Sequence, residues 1–249
     1  MVTAGIGTRD DWVMTATVLA PAKLTVSLRV VGVRPDGYHL LDAEFVSLDL
    51  ADELTFDESG EGFELVGAPV GVPQDGDNLV CRALTMVGRQ AHVGLLKRIP
   101  TGGGLGGGSA DAAAVLRWAG VDDLGVAGKL GADVPFCVHG GRAQVGGTGE
   151  VLTPLPFEAR EFTLLTPPFG CSTPAVYRAW DGLGGPTGDG PNDLEAAALR
   201  VEPRLTEWRD RLEKATGATP VLAGSGSTWF VEGAFPGEGR IVTRTVPAY

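Results

Sequence analysis

From Ile99 to Ala114 the chain reads Ile-Pro-Thr-Gly-Gly-Gly-Leu-Gly-Gly-Gly-Ser-Ala-Asp-Ala-Ala-Ala, with six glycines among the seven residues 102–108. Glycine gives up more backbone freedom on ordering than any other residue, so a run of it belongs where main chain must take positive φ or approach something closely. Both flanks read as regular elements. His92 to Ile99 is a strand, and Ala112, Val115, Leu116 and Ala119 fall at i, i+3, i+4 and i+7 of one helical stripe. Strand, glycine loop and helix start together offer bare N–H groups and the positive end of a helix dipole, which suits a phosphate. The expectation is a nucleoside triphosphate held on this loop.

Other glycine loops share these letters. A flexible linker would lack good elements on both sides. The Walker A pattern fails, because Gly108 stands where its lysine should be. The dinucleotide pattern G-x-G-x-x-G matches at Gly102, Gly104 and Gly107, with acids about 20 residues on at Asp122 and Asp123. A nicotinamide dehydrogenase therefore stays open at this point. It requires regular strand–helix alternation from the start of the chain, and the opening segments alternate poorly.

The bulk numbers narrow the class. With 249 residues, 43% hydrophobic and 20% charged, the chain can bury one large core or two modest ones. There is no apolar run of about 18 residues to span a membrane. A net charge of −11 argues against a nucleic-acid partner, which needs a basic footprint. A local nest of amides and one lysine can still hold an anionic small molecule within that field. The three cysteines, Cys81, Cys137 and Cys171, form no metal pattern and fit a reducing cytoplasm. Residues 1–15 lack a basic region followed by an apolar run and read as a disordered leader, with Met14 a candidate start.

Along the chain, Leu24, Val26, Leu28 and Val30 alternate with Lys23, Thr25, Ser27 and Arg29, so Thr17 to Val31 is a strand with Lys23 and Thr25 on its polar face. Arg34-Pro35-Asp36-Gly37-Tyr38-His39 is a turn. Strands are expected over 43–50, 53–57 and 63–66, then a helix from Leu79 to Val87 capped by Asp77 or Asn78. Asp133 lies in a turn flanked by glycine and proline. A hairpin around 144–152, a strand at 162–165, a helix from Ser172 to Trp180, and helix from Asp193 to Ala215 broken near Pro203 follow. A glycine-rich loop spans 182–191, and strands are expected around Trp229–Val231 and Ile241–Val246. The pattern predicts an α+β fold of two lobes, with a first domain over 16–155 and a second over 156–249.

Taken singly, Lys23 is a strand lysine, Asp133 a turn aspartate, and Tyr38 and His39 turn-edge residues. Their order along the chain is more telling. Three segments appear in sequence: Pro21-Ala22-Lys23, Pro100 through Ala114, and Leu222-Ala223-Gly224-Ser225-Gly226-Ser227-Thr228. In these the chain resembles the GHMP small-molecule kinases. The turn at Arg34 to His39, Gly131-Ala132-Asp133-Val134-Pro135-Phe136 and Asn192-Asp193-Leu194 narrow the resemblance to the branch that phosphorylates a cytidine diphosphate-linked alcohol. It covers roughly residues 16–231.

The resemblance implies a two-lobed fold, with a ribosomal-protein-S5-like domain, a ferredoxin-like domain and the site between them. It implies ATP with Mg²⁺. Asp133 would take the hydroxyl proton, and Lys23 beside it would stabilise charge building on the attacking oxygen. Pro100, Gly102, Gly103, Gly104, Leu105, Gly106, Gly107, Gly108 and Ser109 would wrap the triphosphate, with Ser109 donating to phosphate or meeting Mg²⁺. Tyr38 and Tyr177 would take the two faces of the cytosine and His39 its edge, while Thr25, Gly224, Ser225 and Gly226 would close on the acceptor. The implied protein is a cytoplasmic monomer or weak homodimer. Two positions depart from the family: Thr25 stands where asparagine is usual, and Ala110 where a second serine is usual. The segments 118–131 and after 231 are short. A kinase for another small alcohol and a binding protein without chemistry share these features.

Overall fold

The computed structural model describes residues 15–67, 71–73, 76–185 and 190–249. Of the leader expected over 1–15, residues 1–14, Met14 included, lie outside the described residues and Thr15 belongs to the first strand; residues 186–189 of the glycine-rich loop also lie outside.

The chain opens with a long hairpin, β1 (Thr15–Val33) and β2 (His39–Asp57). Its turn closes as the sequence predicts. Arg34 N–H donates to the Tyr38 carbonyl at 2.7 Å, and the Asp36 carboxylate accepts from the Arg34 side chain. The two strands expected at 43–50 and 53–57 are one continuous strand. Asp49 and Asp52 break the apolar pattern, but both have partners from elsewhere in the fold: Thr243 for Asp49 and Lys97 for Asp52. Tertiary contacts thus override the local pattern.

β3 (Gly62–Val66) and α1 (Leu79–Val87) follow, the helix capped by the Asn78 side chain on Val80 N–H. β4 (His92–Leu96) leads into the glycine loop and α2 (Gly107–Trp118). The helix begins five residues before its apolar stripe does, inside the glycine run itself. Ala110, Ala112, Ala113 and Ala114 are fully buried, and these small side chains let α2 lie close against α1, β1 and α4 (Val134–His139). A short α3 (Leu124–Gly128) precedes α4. Asp133, expected in a turn, is the residue that heads α4. β5 (Arg142–Gly146) and β6 (Val151–Pro154) form the expected hairpin.

These strands build a six-stranded sheet of order β3-β4-β2-β5-β6, with β1 on β2. The two halves of β2 pair different strands: 53–57 pair β4, and 43–46 pair β5. Among the described residues only β3 and β4 pair in parallel. A doubly wound dinucleotide fold needs a parallel sheet with its glycine loop after the first strand. The dehydrogenase reading therefore fails, despite matching the loop letter for letter.

The second sheet has the order β10-β7-β9-β8 and is antiparallel throughout. Its strands are β7 (Glu161–Leu165), β8 (Val221–Leu222), β9 (Trp229–Glu232) and β10 (Arg240–Arg244), with α5 (Thr173–Gly182), α6 (Glu195–Val201) and α7 (Leu205–Thr216) between β7 and β8. The first sheet ends at Pro154 and the second begins at Glu161. Residues beyond β10 return to the first sheet, where Thr245 bridges Leu48 and Ala248 bridges Gly140. Phe45 meets Phe136 edge-on, and Phe56 stacks on Trp118, within one buried cluster.

Candidate active site

The glycine loop is shaped by what it packs against. Gly104 has φ +78°, and a Cβ there would lie 2.6 Å from the Gly226 carbonyl oxygen. Gly106 has φ +68°, and its Cβ would lie 2.6 Å from Lys23 Cγ. No side chain fits at either position. The loop is thereby pressed against the third glycine segment, where Thr228 N–H also donates to the Gly103 carbonyl, and against the lysine strand, where Lys23 N–H donates to Leu105. Gly106 caps α2 without a side-chain oxygen, which leaves the first-turn amides for a ligand. Every residue expected to wrap the triphosphate, from Pro100 and Gly102 through Ser109, lines one cavity of about 250 Å³.

A second cavity, of about 300 Å³, adjoins it. Lys23, Thr25, Asp133, Tyr177, Gly224 and Ser225 line it, and Gly104, Gly106 and Ser109 belong to both cavities. Lys23 Nζ lies 3.2 Å from Asp133 Oδ2, donates to Thr25 Oγ1 at 3.1 Å and sits 4.5 Å from the centre of the Phe45 ring. Lys23 and Thr25 share a face of β1 as the alternation predicts, but both are buried, Lys23 beneath the glycine loop at Gly106 and beside Phe45, and Thr25 against Gly224. An ammonium, a carboxylate and unclaimed amides around one space can accept a proton from an alcohol and neutralise a polyphosphate.

The aromatic residues are arranged differently from the expected pair of faces. Tyr177 lines the second cavity, but its ring packs on His39 with centroids 4.6 Å apart. His39 Nε2 lies 2.8 Å from Asp181 Oδ1, which ties β2 to α5. Tyr38 is 62% exposed and lines a separate cavity with Arg34, Lys129 and Glu150, one that shares Ala132 and Thr148 with the second. Gly226 presents its carbonyl to Gly104 and lines neither cavity.

One group of residues escaped the sequence reading. Lys97, just before the loop, is buried between Asp52 of β2 and Asp111 of α2, with Asp111 Oδ2 at 2.7 Å. Asp52 Oδ1 also accepts from the backbone N–H groups of Arg98 and Ile99. Entry and exit of the loop are thus tied to β2. Burial pushes the Asp111 carboxyl up to about 7, against the pull of Lys97. Burial opposes the Lys97 charge, yet the two carboxylates outweigh it and hold its pKa above the usual lysine value. Asp111 Oδ1 has no hydrogen-bond partner. Position 52 fell between two expected strands, and nothing local in the sequence linked it to Lys97.

A glycine-loop amide cradle adjoining a lysine–aspartate pocket, on this fold, defines a GHMP-type small-molecule kinase, and the model of the GHMP kinases N terminal domain matches residues 78–141. A 4-diphosphocytidyl-2-C-methyl-D-erythritol kinase of Paracoccus denitrificans is 39% identical over 85% of this chain and 84% of its own length. Its counterpart in Nitrosomonas eutropha is 36% identical over 93% and 92%. A crystal structure of 4-(cytidine 5'-diphospho)-2C-methyl-D-erythritol kinase superposes with a TM-score of 0.72 at 33% identity, covering 92% of this chain and 99% of that one. The chain belongs to the family of 4-diphosphocytidyl-2-C-methyl-D-erythritol kinases.

Proposed function

We propose that this enzyme transfers the γ-phosphoryl group of ATP to the 2-hydroxyl of 4-diphosphocytidyl-2-C-methyl-D-erythritol, a step in isoprenoid precursor synthesis. The observation that carries the reading is the shared wall of Gly104, Gly106 and Ser109 between the two cavities. A triphosphate lying along the loop amides would end at that wall. An alcohol beside Asp133 would then be positioned for in-line attack. Asp133 takes the hydroxyl proton as the oxygen attacks phosphorus. Lys23 stabilises the charge on that oxygen and holds the carboxylate in place. Ser109 and the first-turn amides of α2 bind the phosphate oxygens.

Mg²⁺ would arrive with the nucleotide as part of the substrate, held by phosphate oxygens. Among the described residues no group of three or more His, Cys, Asp or Glu is placed to hold a metal ion. Tyr177 contributes an aromatic face to the cytidine end, and Tyr38, across Ala132 and Thr148, a second contact further out. A cytoplasmic setting fits three cysteines without a disulfide and the absence, among the described residues, of a helix long and apolar enough to cross a membrane. We read the enzyme as a monomer or weak homodimer, organised as domains over 16–155 and 156–249.

The test is ADP release with the cytidine diphosphate substrate, run beside the same alcohol lacking cytidine and beside Asp133→Asn. Turnover only with the cytidine-bearing alcohol, and its loss in the variant, support the reading. Equal turnover with both alcohols would move the assignment to another acceptor.

A further inference from the structure

Residues 243–249 leave the second sheet and run back over the first. We propose that this segment is a positioning strap that fixes the backbone under both Lys23 and Asp133. The proposal rests on the catalytic roles given to those two residues above.

The strap joins β2, the strand paired with the one that carries Lys23, to the end of α4, which Asp133 heads. Ser47 of β2 is the cross-strand partner of Lys23. Its carbonyl accepts from Val246 N–H at 3.0 Å, and its own N–H donates to the Gly141 carbonyl at 2.7 Å. Thr245 bridges Leu48, the next residue along. At the other end, Ala248 bridges Gly140, which ends α4. Asp133 heads that helix. A helix of six residues is only about 9 Å long, so a shift of its tail tilts its head.

The junction is built to admit the strap. Gly140 and Gly141 both have φ +73°. A Cβ on Gly140 would lie 2.9 Å from the Tyr249 ring, and one on Gly141 would lie 2.7 Å from Ala248 N. Arg117 of α2 then fastens the assembly. Its guanidinium lies 4.0 Å from the centre of the Tyr249 ring and donates to the Cys137 carbonyl of α4 at 2.6 Å and to the Leu19 carbonyl of β1 at 2.7 Å.

Asp133 needs such support. Its side chain is about a third exposed and makes no cap hydrogen bond to its own helix. Burial does not hold it in place, so its 3.2 Å contact with Lys23 depends on where the two backbones are held. Its backbone contacts with the first sheet and α4 fall at Ser47, Leu48 and Gly140, so its main effect is expected on the alcohol half of the reaction.

The experiment is steady-state kinetics of Tyr249→Ala and Tyr249→Phe, each alone and combined with Asp133→Asn, with melting followed for every variant. Tyr249→Ala is expected to lower kcat about 10- to 100-fold, the scale of a misplaced reacting group, with both KM values within about twofold of the parent. Tyr249→Phe keeps the ring against Arg117 but loses the hydroxyl's hydrogen bond with it, and is expected to keep most of kcat. In the Asp133→Asn background, Tyr249→Ala is expected to cost clearly less than in the parent, since only the placing of Lys23 is left to lose. An unchanged kcat in Tyr249→Ala overturns the strap. So does an equal loss in the Asp133→Asn background, or a joint rise of both KM values. Where Tyr249→Ala melts below the assay temperature, Tyr249→Leu, which keeps apolar bulk, carries the measurement. Full activity of Asp133→Asn itself would instead remove the catalytic pair on which the strap is argued.

Discussion

The nucleotide cradle and the alcohol pocket adjoin, share three residues and are built in opposite ways. Apart from Leu79 of α1, the cradle is one stretch of chain, Lys97 to Ser109, shaped by positive φ at Gly102, Gly104 and Gly106 and by the start of α2. The pocket is gathered from β1, the ends of β2 and α4, α5 and the 224–225 turn. On the proposed reading, backbone amides would do the binding in the first, and side chains in the second. A backbone site tolerates changes of side chain but not an added Cβ. A side-chain site tolerates neither loss of its groups nor drift of the elements that carry them.

The largest expected effect lies in the pocket. Lys23→Ala should lower kcat by about 10²–10⁴, the range of a lost proton-handling or charge-stabilising group, while the affinity for ATP measured by calorimetry stays near the parent's. A matching loss of ATP affinity would mean the two regions are not separable. Lys97→Met tests the cradle from below. Removing one partner of a buried ionic cluster costs about 3–5 kcal/mol, read from urea unfolding, and adding Asp111→Asn should recover part of it.

Gly106→Ala should break both regions together, because the new Cβ meets Lys23 and the backbone keeps φ +68°. Strain of about 1–3 kcal/mol is expected, with KM for ATP and kcat both worse. A change in only one constant would show that the loop and Lys23 move independently. Smaller still are the aromatic contacts. Tyr177→Ala should raise KM for the cytidine substrate about tenfold, and Tyr38→Ala by less, since loss of one aromatic contact is worth about 0.5–1.5 kcal/mol.

Asp111 adds a pH test of the cradle. Its carboxyl is raised from 3.8 in the unfolded chain to about 7 when folded, mainly by burial. The folded form thus keeps its proton longer, and this group's contribution to stability falls as pH rises from about 4 through about 7. Asp111→Asn should flatten the dependence of melting temperature on pH over that window. An identical slope in both proteins would place the Asp111 titration elsewhere.

The cradle could be read directly because its chemistry is local. Six glycines, a preceding strand and a following helix state a loop of bare amides with no knowledge of the rest of the fold. Lys23 and Asp133 became candidates only through their order with the other segments, since each alone is an ordinary strand or turn residue. Lys97, Asp52 and Asp111 gave no signal, because a buried ionic cluster spanning 45 and 14 residues has no local period. The facing of Tyr38 and Tyr177 across one base was expected and is not what the fold brings together. His39 packs on Tyr177 instead, because its bond to Asp181 holds it there.

By itself, then, the order of residues determined the glycine loop, the hairpin turn at 34–38 and the start of the first helix beside Asn78, since each depends on groups a few bonds apart. The tertiary structure alone decided that positions 23 and 133 touch, that the two ends of one continuous β2 pair with β4 and β5, and that the chain beyond β10 returns to Leu48 and Gly140. Those outcomes depend on which distant surfaces bury each other, and burial is a property of the folded whole.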